Sequence, residues 1–110
     1  MGGHPPGGAT RTTTSILFGG ESDAAGNGDA LGDTWTLDGS DWTVQTGSGP
    51  AARFDASLAS VGSHAVLFGG VSQAFASDFG DTWIWNGTSW TELPGTSSPS
   101  PRDSCGMGAL

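Results

Sequence analysis

The chain repeats itself, and the repeat limits its fold more than any other feature. SILFGG (15–20) returns as AVLFGG (65–70), fifty residues later, and GDTWTLDGSDWT (32–43) returns as GDTWIWNGTSWT (80–91), forty-eight residues later. A period near fifty marks a supersecondary unit that buries its apolar faces by stacking on copies of itself. Within each unit the segments read as short strands. RFDASLAS (53–60) alternates Phe54, Ala56 and Leu58 on one face, the period of two expected of a strand. HAVLFGG (64–70) is a short apolar run closed by glycines. DTWIW and SWTEL flank Asn86-Gly87, and DTWTL and DWTV flank Asp38-Gly39. Such pairs favour positive φ and predict tight hairpins. The unit is therefore expected to be a four-stranded antiparallel meander, strands A to D, and no stretch has helical periodicity.

These residues resemble the kelch repeat, whose members form β-propeller blades. The resemblance rests on the pairs Gly19-Gly20 and Gly69-Gly70, each followed by two aromatics, Trp35 and Trp42 in one copy and Trp83 and Trp90 in the other. Trp35 and Trp83 stand where the family often has Tyr. It covers nearly the whole chain except residues 1–10. It implies an all-β fold of two kelch blades per chain, with the tryptophans filling the space between blades. Asp33 and Asp81 are expected to bond backbone where a strand begins. This set is read as structural.

Closed propellers hold four to eight blades, and two blades alone would leave tryptophan-bearing faces in water. The expected organisation is an N-terminal extension (1–10), strands B-C-D of the first blade (11–49), strands A-B-C-D of the second (50–93), and a linker with a spare strand A (94–110). Arg53 and Arg102 head matching segments, and Cys105, Met107 and Leu110 stand where Ala56, Leu58 and Val61 do. RDSCGMGAL (102–110) is thus expected to complete the first blade of a neighbouring copy. Head-to-tail contacts of this kind close into rings. The expected partner is the chain itself, as a homo-oligomer in which a trimer with six blades is favoured over a dimer or tetramer. The other origin for such a chain is a fragment of a longer kelch protein.

Composition narrows the partners further. The only basic residues are Arg11, Arg53 and Arg102, and the formal charge is -8. Without a cationic surface, nucleic acid and anionic membranes are excluded as expected partners. No apolar run approaches the roughly 20 residues of a membrane span. No secretory signal is recognised in MGGHPPGG. The single cysteine, Cys105, rules out an intrachain disulfide framework.

An antiparallel meander places the B–C and D–A loops at one end. That end is the expected ligand face, as it commonly is in kelch proteins, and carries Glu21, Asp23, Asp29 and Asp78 with Arg53 and Arg102. The arginines have two readings: anchors of the D–A loop, or a ring of guanidinium groups that binds carboxylate or phosphate. Glu21, Asp23, Asn27 and Asp29 are oxygen donors of the kind calcium takes, but their spacing is not that of an EF-hand. No cofactor is expected, with calcium as the alternative. Copper radical oxidases built on kelch propellers need Tyr and several His, whereas this chain has no Tyr and only His4 and His64. No Ser-His-Asp arrangement is brought together by the repeat. The sequence thus points to a non-enzymatic scaffold or binding module; the alternative is a propeller enzyme that holds a metal in its acidic loops.

Overall fold

The computed structural model describes residues 14–22, 29–72, 77–95, 98–108 and 110. Among them the fold is all-β, with seven strands: β1 (Thr14–Ser22), β2 (Asp29–Asp38), β3 (Asp41–Gln45), β4 (Ser57–Val61), β5 (His64–Phe68), β6 (Thr82–Trp85) and β7 (Trp90–Leu93). They form a three-stranded sheet, β1-β2-β3, and a four-stranded sheet, β4-β5-β6-β7, with every pairing antiparallel. Each sheet is a meander whose neighbours in sequence are neighbours in space, as the strand order B-C-D and A-B-C-D requires.

The hairpins are tight, but their geometry differs in detail from the expectation. Asp38 pairs with Asp41, so Gly39 and Ser40 make the turn, and Gly39 alone takes positive φ (63°). A glycine at the first central position is the mark of a type II′ turn. In the second hairpin the Asn86 side chain accepts from the amides of Thr88 and Ser89, an Asx turn. Asp38 and Asn86 therefore keep ordinary φ, and only the glycine that follows each one needs the left-handed region.

Strands β1 and β2 also extend into the segment expected to be a loop over 21–31. The β1–β2 ladder continues through Gly20↔Leu31, Glu21↔Ala30 and Ser22↔Asp29. Between Phe18↔Thr34 and Gly20↔Leu31 the register shifts, so Gly32 and Asp33 of β2 stand opposite Gly19 alone. A bulge of this kind bends the strand and re-aims a side chain.

One apolar core lies where the two sheets meet. Ala65, Leu67, Trp85 and Trp90 are buried in it, and Ile16, Phe18, Ala56, Leu58 and Trp83 pack against it. Trp90 is the bridge. Its ring meets Phe18 edge-on at 5.7 Å, lies 5.4 Å from Trp85, and its indole N–H donates to the buried Thr34 hydroxyl at 3.0 Å. The aromatic fill between units is thus the work of Trp90 and Trp85, while Trp42, the counterpart of Trp90, is 50% exposed.

Candidate functional site

The end of the sheets that carries the B–C and D–A connections is organised around two copies of one backbone contact. In the first, the Gly20 amide donates to the Arg53 carbonyl (3.0 Å) and the Arg53 amide to the Leu31 carbonyl (3.0 Å). In the second, the Gly70 amide donates to the Arg102 carbonyl (2.9 Å) and the Arg102 amide to the Phe79 carbonyl (3.2 Å). The glycine pairs make these contacts fit. Gly19 and Gly69 have φ of 70° and 77°, and a Cβ on either would collide with the carbonyl of Arg53 or Arg102. Each Gly-Gly pair is therefore a notch that receives the backbone of the segment that follows its own unit, where only glycine permits the approach.

Arg53 occupies this notch with its side chain folded under the second sheet. It is 1% exposed. Its guanidinium donates to both oxygens of Asp81 (2.5 and 2.8 Å), to the Gly69 carbonyl (3.0 Å) and, through Nε, to the Ala51 carbonyl (3.1 Å). It also lies 3.9 Å from the centre of the Phe79 ring. A fork-to-fork pair of this kind is strong and directional. Burial alone would lift the Asp81 carboxyl; hydrogen bonds from Arg53 and Trp83 and the Arg53 charge outweigh it and hold it below the usual carboxylate range. So engaged, Arg53 presents nothing to a ligand, and the geometry fits the anchoring role.

Asp33 and Asp81 each accept a hydrogen bond from an indole two residues ahead, Trp35 and Trp83, both at 2.7 Å. For Asp81 it adds to a hydrogen bond from backbone, the kind of bond expected where a strand begins. The signal was present in the sequence as Asp-Thr-Trp in both repeats, because residues i and i+2 of a strand share a face.

The remaining candidates divide. Arg102 is exposed, and its Nε and Nη2 donate to the backbone and hydroxyl of Ser100 (3.1 and 2.9 Å). Asp78 is exposed and bridges to Val71 at the edge of the second B–C connection. Its pKa is raised, first through hydrogen bonding of its protonated form with Asp103, then through loss of hydration and the repulsion of Asp103. Glu21 and Asp29 are adjacent ladder positions whose partners are Ala30 and Ser22, so they lie on opposite faces of the ribbon. Asp23 and Asn27 fall outside the described residues, and with them half of the expected calcium set. Among the described residues no group of three or more His, Cys, Asp or Glu is placed to hold a metal ion. His64 is exposed beside Ser63, and Cys105 is half-buried against the Ser57 hydroxyl.

A crevice between the sheets, lined by residues that include Thr34, Gln45, Trp85 and Trp90, has a volume of about 70 Å³. Small-molecule sites are several times larger. No described helix is long and apolar enough to cross a membrane. No protein-family model matches the chain, and no curated protein matches its sequence.

Proposed function

We propose that the chain is a self-assembling, non-enzymatic binding scaffold of the kelch-propeller type, in which three copies close a ring of six blades. One observation carries this reading: the first sheet repeats the pattern of the second but leaves Leu17 and Trp42 in water. Leu17 and Trp42 are 45% and 50% exposed, whereas the matching Leu67 and Trp90 are 1% and 9% exposed. A face so built is stabilised when a further copy of the unit covers it, as the second sheet covers the first within the chain.

The ring presents the B–C and D–A loops around one mouth, with Glu21, Asp29, Asp78 and Arg102 of each chain at that end. The strongly acidic composition suits cationic or hydrogen-bonding ligands over nucleic acid. Light scattering on the purified chain tests the assembly. A ring of three gives three times the 11.0 kDa of the chain. A single species at 11.0 kDa, unchanged up to high micromolar concentration, overturns self-assembly.

A further inference from the structure

The junction between the two sheets is a complete lock, and each outer end of the chain holds one half of a second one. At the junction, Arg53 leaves its carbonyl in the Gly19-Gly20 notch of the first sheet and sends its guanidinium to Asp81 of the second. Asp81 is held ready by the Trp83 indole. The repeat places Arg102 with Arg53, Asp33 with Asp81 and Trp35 with Trp83.

The half at the C-terminal end has already taken its shape. The Arg102 carbonyl sits in the Gly69-Gly70 notch as that of Arg53 sits in Gly19-Gly20. Arg102 Nε donates to the carbonyl two residues back at 3.1 Å, as Arg53 Nε does. Two non-glycine residues among those described have positive φ, Asp55 (60°) and Ser104 (53°). They stand at matching positions, each two residues beyond its arginine. An unfavourable conformation that recurs at one position of a repeat points to a shared structural demand. Arg102 shares the backbone setting of Arg53, but its guanidinium is exposed and meets no carboxylate among the described residues.

The first sheet holds the complementary half. Asp33 sits on the β2 bulge with one oxygen on the Trp35 indole at 2.7 Å, as Asp81 sits with Trp83. Among the described residues no cation faces it. Beside it, Leu17 of β1 is opposite Trp35 with its other flank in water, where Leu67 has Leu58 of β4. The residue that matches Leu58 is Met107.

We infer that Arg102 of one copy forms a bidentate ion pair with Asp33 of the next, and that its residues 106–108 pair along β1 with Met107 opposite Leu17. The same docking brings Trp42 of the second copy to Thr82 of the first, as Trp90 meets Thr34 within the chain. The occupant is a second copy of this chain because the missing carboxylate partner, apolar strand and indole all belong to the repeat itself. This inference rests on the self-assembly proposed above and names the residues that would close it.

The test is a double-mutant cycle on assembly, read as the concentration at which the wild-type oligomer dissociates. Asp33→Asn and Arg102→Gln are each expected to raise that concentration about ten-fold or more, and the double variant no further than the more affected single one. Arg102→Lys, which keeps the charge and loses the fork, should fall between Arg102→Gln and wild type. Both side chains are exposed in the single chain, so circular dichroism of the dilute variants should match wild type. Single variants that assemble like wild type, or effects that multiply in the double variant, overturn the ion pair and leave self-assembly standing. A wild-type chain that stays monomeric overturns both.

Discussion

Leu17 and Leu67 stand at the same position of the repeat and each pairs with a tryptophan, Trp35 or Trp83. Yet Leu17 is 45% exposed and Leu67 is 1% exposed. The two sheets share the repeat pattern, and both leucines pair with the tryptophan of the next strand, so the difference between them is one of neighbours. The second sheet has β4 on one side and its Trp90 packed onto the first sheet; the first has neither among the described residues. Matching leucines thus become core in one copy and surface in the other. Stability in a repeat fold belongs to the interfaces between units as much as to the units.

The comparison can be broken most sharply at the tryptophans. Trp90→Ala should destabilise the chain by about 4 kcal/mol, the usual cost of deleting a large buried aromatic. Trp42→Ala in the dilute chain should cost less than about 1 kcal/mol, since half of that side chain already meets water. Urea midpoints at a concentration too low for assembly check both values. Equal losses would mean that the sheets do not differ as described.

The arginines come next. Arg53→Ala strands the Asp81 carboxylate and the Gly69 carbonyl and should cost about 3 kcal/mol. Arg102→Ala should change the stability of the isolated chain by no more than about 0.5 kcal/mol, the usual size for an exposed residue with local contacts. The same denaturation series resolves the two.

The acid response follows from Asp81. Its pKa is lowered in the folded chain, so the unfolded chain binds the proton more tightly. Its contribution is present above the unfolded carboxylate value and fades as pH falls through the lower folded one. Asp81→Asn should flatten this part of the stability profile, visible in thermal midpoints collected from neutral pH downward.

The smallest expected effect has the opposite sign. Asp78 has a raised pKa because it shares a hydrogen bond with Asp103, is partly desolvated and is repelled by it. Its protonated form is favoured by the fold, so that contribution is present below the unfolded carboxylate value and lost as pH rises through the raised one. Asp103 repels Asp78 where residues 102–105 dock. Asp78→Asn should relieve that repulsion and slow hydrogen exchange at the Ser104 amide, which donates to the Asp55 carbonyl at 2.8 Å. The change should be a few-fold and should shrink at acid pH.

Much of the fold was legible in the residues. The period near fifty, the alternation in RFDASLAS and the glycines after Asp38 and Asn86 suffice to define meanders of strands, because side-chain periodicity and turn chemistry are local. The role of Arg53 was legible only as a pair of alternatives. Its carboxylate partner lies 28 residues away, and nothing local distinguishes a guanidinium that folds under its own sheet from one that faces a ligand. The Asp33 bulge was not legible either, since a one-residue mismatch between strands depends on both strands at once. The Asp-Thr-Trp triplets were read for backbone bonding alone, and the added indole bond was missed because the indole lies close enough only once the strand is extended.

By itself the sequence determined the strand type, the meander order, the turns and the equivalence of the two halves, all of which follow from interactions within a few residues or across one hairpin. The tertiary structure decided which half becomes core. It placed Trp90 over Phe18 and Thr34, took Arg53 from the loop end into the sheet, and left Leu17, Trp42 and Asp33 with open faces. The physical reason is that burial belongs to pairs of surfaces. Two copies of one motif carry the same chemistry, and what each copy does with it depends on what is packed beside it.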